Sequence, residues 1–317
     1  MESLLFLLFV QKQTGEALVD YLKPRLFEPL GIAKPIWDTN FQGIALGGYG
    51  LRVRTEDIAK LGQLYLQEGE WDGKRLLEKE WVAAATSKQV SNGSNPDSDW
   101  AQGYGFQFWR CRHGAYRGDG AFGQYCVVLP EQDAVVAITS GVKNMQSALD
   151  VLWDKLLPAF HYVPLPENTS AAAALQSKLK ALVLPPAKGK KSSPLVEKIN
   201  GKTFRFLEND GKFESLEIKI VDHQFLLTTV IDGSKVTHPC AYGEWQIAPS
   251  TTESEPTATS YAWEDEAALE IKRCAYETPF VTTTRLHFGE GQVKLEQSAN
   301  VAFGPGQHLS LEGVSDE

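Results

Sequence analysis

Four cysteines, Cys111, Cys126, Cys240 and Cys274, include no CxxC pair, and the six histidines never fall at HxH or i, i+4 spacing. Those spacings set two thiolates or two imidazoles on one ion, so nothing here marks a metal site, and no cofactor is expected. Cationic side chains are in deficit, 31 Lys and Arg against 40 Asp and Glu, for a formal charge of -9. That balance argues against nucleic acid or an anionic membrane as partner, since either favours a basic surface. Long apolar runs are missing too. The one at the start, Leu4 to Val10, is too short to span a bilayer, so no membrane span is expected. It has no basic n-region before it and no small-residue cleavage site after it, and is read as a buried helix. Compartment is left open, as is the state of Cys111 and Cys126, which could be buried free thiols or face each other across strands as a disulfide.

What is present is enough apolar residue, 43% of 317, for two ordinary cores. Residues 1 to about 160 alternate helical and strand patterns. Thr14 is placed as the cap of a helix towards Leu22, with Pro24, Pro29 and Gly31 punctuating the chain beyond it. Thr55-Glu56-Asp57 starts another, with Ile58, Leu61 and Tyr65 on one face, and Leu76 to Ala85 is a third. Tyr104 to Trp109, Gly123 to Leu129 and Ala134 to Thr139 read as antiparallel central strands. Asn144 to Phe160 is next, an amphipathic helix with Met145, Leu149, Leu152, Trp153, Leu156 and Phe160 on one stripe.

From Val163 to Asn200 the composition shifts to Pro, Ala, Lys and Ser, a linker with a short helix over Ala171 to Leu182. Beyond Thr203 alternation dominates, as in Leu216 to Ile220, Leu269 to Ile271, Val281 to Leu286 and Val293 to Leu295, with Asp-Gly and Gly-Glu-Gly turns. Trp245, Tyr261, Trp263 and Tyr276 are either core residues or the lining of a barrel mouth. Asn300 to Gly306 reads as a turn.

The stretch that could carry chemistry is Arg117-Gly118-Asp119-Gly120-Ala121-Phe122-Gly123-Gln124. Glycines on a strand let a ligand or a second backbone come close, and a bare strand edge can pair with an acyl substrate and offer an N–H to its oxyanion. Taken alone, it reads equally well as a bulge or tight hairpin.

It does not stand alone. Trp37, Gly43, Gly47-Gly48-Tyr49-Gly50-Leu51, the Thr55 helix with Gly62-Gln63-Leu64-Tyr65, Gly69-Glu70-Trp71-Asp72-Gly73, Trp81-Val82 and Gly103-Tyr104-Gly105 occur in an order and spacing that resembles the class C β-lactamase-like serine hydrolases, the penicillin-binding-protein and esterase family. The resemblance covers about residues 10 to 160. It implies an α+β fold, a partial β-lactamase or transpeptidase-like antiparallel sheet with helices, and acyl transfer on small esters or amides. The expected division is therefore a hydrolase portion over 1–162, the linker over 163–200, and a β-rich accessory domain over 201–317, a lipocalin-like barrel or a sandwich.

By that resemblance Gly118-Asp119-Gly120 stands where the family has Lys-Thr-Gly, Ala121 N–H is one half of the oxyanion hole, and Gly48 and Tyr49 form a cleft loop. Glycine at 118 removes the usual cation, which disfavours a penicillin. The family also needs a Ser with a Lys one helical turn on and a Tyr-x-Asn, upstream of that strand. No Tyr here precedes an Asn by two residues, and the Ser-x-x-Lys matches, Ser140 with Lys143 and Ser177 with Lys180, lie downstream. The resemblance thus implies an N-terminally truncated, inactive hydrolase, completed by a separately encoded N-terminal half or self-associating. The relatives are often periplasmic or secreted. A competing expectation is a non-enzymatic binding module working through the β-rich domain, and a third is an intact hydrolase using Ser140.

Overall fold

The computed structural model describes residues 2–248, 255–304 and 308–316, with side chains from residue 7 onward. The chain divides into two compact units, Met1–Phe160 and His161–Glu317.

The first unit is built on a four-stranded antiparallel sheet, ordered Trp109–Arg110, Tyr116–Gly120, Gln124–Leu129, Ala134–Ile138. Period two puts Tyr125, Val127 and Leu129 on one face, where they join Leu149, Leu152 and Trp153 in a core. Cys126 and Val128 take the other face, and the helix Thr55–Leu66 packs there so tightly that a Cβ at Gly62 would stand 2.5 Å from Val135 and 2.7 Å from Cys126. Both faces of Gln124–Leu129 are therefore covered, which explains its near-continuous apolar sequence.

The expected three strands and terminal helix are present, with local departures. Tyr104 to Trp109 is not a strand. Gln107 has a positive φ of 64°, and only Trp109 and Arg110 pair with the sheet, while Tyr104 makes single bridges to Val90 and Trp109. The segment after Gln146 begins as an α-helix but widens to a π-type turn over Leu152–Leu156. That extra residue per turn rotates the stripe, so Leu157 packs on the core while Leu156 and Phe160 lie at the surface.

Thr14 ends a helix instead of starting one. The helix Glu2–Thr14 is closed by Gly15 at φ 72°, whose N–H reaches Gln11, while the Thr14 hydroxyl bonds back to Val10. The next helix, Leu18–Leu22, begins after Ala17. Of the run expected to be buried, Phe9 is 61% exposed and Leu7, Leu8 and Val10 are half-buried, while the side chains of Leu4, Leu5 and Phe6 lie outside those described. Thr55 is the first helical residue after the cap Arg54, one place later than a cap would stand, and Asp57 accepts from Lys60 at 2.7 Å. The expected third helix starts only at Lys79, because Glu70–Trp71 and Lys74–Arg75 form a short hairpin around Asp72-Gly73, both at positive φ.

All four cysteines are free thiols. Among the described residues no helix is long and apolar enough to cross a membrane.

The second unit holds a helix, Thr169–Lys180, and a closed nine-stranded β-barrel, which decides between the two expected β architectures. The strands are Thr203–Phe206, Phe213–Val221, Gln224–Ile231, Ser234–Tyr242, Thr257–Trp263, Ala268–Ala275, Val281–Phe288, Gln292–Ala299 and Leu309–Ser315. All neighbours are antiparallel except at the seam, where Ala241 and Tyr242 lie parallel to Ser260 and Tyr261. Inside, Phe204, Leu216, Ile218, Phe225, Tyr261, Trp263, Leu269, Leu286 and Leu295 form one core. Tyr261 and Trp263 are thus core residues, whereas Tyr276 is 47% exposed and Trp245 hydrogen-bonds Leu184 O. Ala187 to Ile199 pack on this barrel, with Lys190 bridging to Trp263 and Ser193 donating to Glu266 O. Asn300 to Gly304 is irregular chain; Pro305 and Gly306, part of the same expected turn, lie outside the described residues.

Candidate active site at the glycine strand

The strand Tyr116–Gly120 pairs along its whole length with Gln124–Leu129, in the register Gly118 with Cys126, Asp119 with Tyr125 and Gly120 with Gln124. On its other side the short strand Trp109–Arg110 covers only Tyr116 and Arg117. Among the described residues no strand borders Gly118, Asp119 or Gly120 there. An unpaired edge of this kind presents alternate N–H and C=O groups to whatever docks.

Gly118 is informative because the fold does not demand it. Its φ is ordinary, and an added Cβ would meet Cys126 at 3.7 Å, an ordinary contact. A glycine that neither backbone nor packing requires is consistent with close approach from outside. The turn after Gly120 is tighter, with Phe122 at φ 65° and Gly123 at φ 87°. Ala121 is exposed at its tip.

Ser140 closes this turn. Its hydroxyl donates to Gly123 O at 2.7 Å, with Phe122 O at 2.9 Å, and a Cβ at Gly123 would stand 2.4 Å from it. Gln124 Nε2 donates to Ser140 O, and Val142 N to Phe122 O. Residues 139–144 carry no helix, so Ser140 and Lys143 lack the one-turn geometry that aligns a Ser with its Lys. Ser177 and Lys180 do lie on a helix, Thr169–Lys180, but in the second unit.

Arg117, singled out above only as the start of the glycine stretch, and Asp99, which sequence reasoning missed, organise the ground beneath the edge. Arg117 is fully buried; its Nε donates to Asp119 Oδ2 at 2.8 Å and its Nη1 to Asp99 O at 3.0 Å and Cys111 Sγ at 3.1 Å. The guanidinium lies 4.6 Å from the Trp100 ring centre. Asp99, also sealed, accepts from Arg112 N and side chain at 3.0 to 3.2 Å, and from Gln146 and Trp153 at 2.9 Å. Burial pushes the Asp99 carboxyl up, yet those donors outweigh it and hold its pKa below the usual value. For Asp119 burial wins over Arg117, and the pKa rises. The i, i+2 spacing of Arg117 and Asp119 on a strand is the one signal that could have found this pair.

Gly48 and Tyr49 lie in the loop between the paired strands Ile36–Trp37 and Leu51–Arg52. Trp37 Nε1 donates to Leu46 O at 2.9 Å and Tyr49 O at 3.1 Å, and Tyr49 is 71% exposed.

The β-lactamase family model matches residues 3–154. Among solved structures, a Bacillus anthracis protein bearing the name 6-aminohexanoate-dimer hydrolase is 21% identical over 50% of this chain and 42% of its own, with a TM-score of 0.41. The octameric penicillin-binding protein homologue of Pyrococcus abyssi is 14% identical over 96% of this chain and 61% of its own, at 0.34. As-p18, an extracellular fatty acid binding protein, is 11% identical over 38% of this chain and 96% of its own, at 0.29. The chain thus spans less than two thirds of either of the first two structures. No curated protein matches it.

Proposed function

We propose, from the premise that residues 3–154 are a β-lactamase-family domain of serine-hydrolase type, that this domain is the substrate-holding part of an acyl hydrolase for small esters or amides. The observation that carries the reading is the bare edge at Gly118 to Gly120. An extended acyl group pairs there, and Ala121, exposed at the tip of the turn, offers its N–H to the carbonyl oxygen as negative charge develops. A penicillin fits this edge less well than an ester. Its carboxylate needs a cation, and Arg117, the cation on the strand, is sealed beneath the sheet by Asp119 and Asp99 O.

The sequence holds no Ser-x-x-Lys or Tyr-x-Asn upstream of this strand, and Ser140 is committed to the turn at Gly123. The proposal is therefore that the chain alone is inactive and that the nucleophile comes from a separately encoded N-terminal half. Loss of an activated nucleophile forfeits on the order of 10⁶ in turnover. The test is hydrolysis of p-nitrophenyl butyrate and of a chromogenic cephalosporin by the purified chain. Background rates are expected with both, and turnover abolished by Ser140→Ala overturns the reading.

A further inference from the structure

The barrel carries a cluster of polar groups on its inner face that its own fold leaves without partners. The register fixes which residues point inward. On Thr257–Trp263 the core residues Tyr261 and Trp263 share a face with Thr257 and Thr259, and on Ala268–Ala275 the core residues Leu269 and Ile271 share one with Arg273. Thr259 and Arg273 are direct partners across these two strands, and Thr282 is the partner of Arg273 on the next. On Ser234–Tyr242 the core residue Cys240 shares the inner face with His238 and Val236, and on Gln224–Ile231 the core residues Phe225 and Leu227 share it with Ile231. The ladders between these residues run without a register break.

Two atoms of this layer, Thr259 Oγ1 and His238 Nε2, are buried with no hydrogen-bond partner, and the residues are 1% and 7% exposed. Buried polar atoms in folded proteins are nearly always paired. Arg273 completes the layer. It is solvent-accessible, yet enough protein surrounds it that desolvation lowers its pKa. Its guanidinium is exposed at the end of this inner face. Among the described residues it makes no hydrogen bond or ion pair; the acid whose charge acts on it is Glu255, and its own charge depresses the His238 pKa.

Beneath this layer the interior is filled, with Phe225 and Tyr261 stacked at 4.1 Å. Above it, Ile231 and Val236 face inward and remain 39% and 40% exposed. Among the described residues of these strands, this end of the inner face therefore presents one cation, neutral donors and acceptors beside it, and a short apolar wall.

We propose that this end of the barrel binds a small organic carboxylate, whose head pairs with Arg273 and hydrogen-bonds in the Thr259 and His238 layer and whose short apolar body lies on Ile231 and Val236. Guanidinium and carboxylate match as a two-pronged pair, while the apolar wall excludes a multiply charged anion. The site lies within the second unit and stands whether or not the first takes part in hydrolysis.

Isothermal titration of the whole chain with hexanoate, hexanol and hexylamine tests this. Hexanoate is expected to bind saturably and to move the His238 imidazole NMR signals, and the alcohol and the amine to do neither. Arg273→Gln, with an unchanged circular dichroism spectrum, is expected to weaken hexanoate about tenfold or more. Should that variant fail to fold, comparison of the three probes on the unmodified chain decides. The proposal is overturned if hexanoate gives no saturable signal, if hexanol or hexylamine binds as well, or if the folded variant binds hexanoate undiminished.

Discussion

Arg117 Nε stands 2.8 Å from Asp119 Oδ2, and the two side chains are 0% and 7% exposed. Two residues apart on a strand, they share a face, and it is the face opposite Gly118. The charged pair thus underpins the strand from inside while the glycine edge is left bare. Because Arg117 also ties Asp99 O and Cys111, the pair is one end of a network reaching Arg112, Gln146 and Trp153.

Asp99→Ala breaks that network at its most connected member. It strands donors of Arg112, Gln146 and Trp153, the last in the core. Losing one partner of a buried ionic cluster typically costs about 3–5 kcal/mol. A urea melt monitored by tryptophan fluorescence reads this directly, and a midpoint within error of the unmodified chain would mean that the network is dispensable.

Gly118→Ala separates substrate approach from folding. The Cβ finds ordinary space, so stability is expected to change by less than about 1 kcal/mol. Gly62→Ala is the contrasting case. Its Cβ would enter Val135 and Cys126, and about 1–3 kcal/mol of overpacking is expected. Thermal unfolding of the two variants side by side shows whether the glycines divide in this way.

His238 sets a pH dependence on the barrel. Burial, helped by the charge of Arg273, depresses its pKa from 6.5 to about 4. Between those values the unfolded chain takes up a proton that the folded one refuses, so stability is full above about pH 6.5 and is lost as pH falls towards 4. The integral is on the order of 3 kcal/mol. His238→Gln is expected to flatten this part of the profile, measured as urea midpoints at about pH 7 and about pH 4.5. An unchanged slope in the variant would assign the loss to other groups.

Much of this was legible from residue pattern alone. Alternation located four of the nine barrel strands, those holding Leu216, Leu269, Val281 and Val293, and the two long strands of the first sheet, and the apolar stripe placed the final helix of the first unit on that sheet. What pattern could not supply was anything decided by a single local bond or by distant chain. Thr14 suits a helix start by residue type, but its hydroxyl turned back to Val10 and Gly15 ended the helix there. The stripe through Leu156 and Phe160 assumed an unbroken 3.6 period, which the wide turn at Leu152–Leu156 removed. Closure of the barrel rests on the parallel seam of Ala241 and Tyr242 with Ser260 and Tyr261, a pairing with no local signature. At the candidate site the glycines were visible, whereas the support from Asp99 is contributed from 18 residues before Arg117.

Ser140→Ala removes a hydroxyl that closes the turn at Gly123. If that is its whole role, the variant loses about 1 kcal/mol of stability and nothing else. A loss of any acyl-transfer chemistry on this substitution would give Ser140 a catalytic role that its position outside a helix argues against.

The most direct measurement is therefore the intact mass of the purified chain after incubation with a fluorophosphonate, which acylation-competent serines attack and others do not. An unchanged mass is the expected result, with the glycine edge present and no activated serine beside it. A single stoichiometric adduct, absent from Ser140→Ala, would show a complete active site within this sequence and contradict the account.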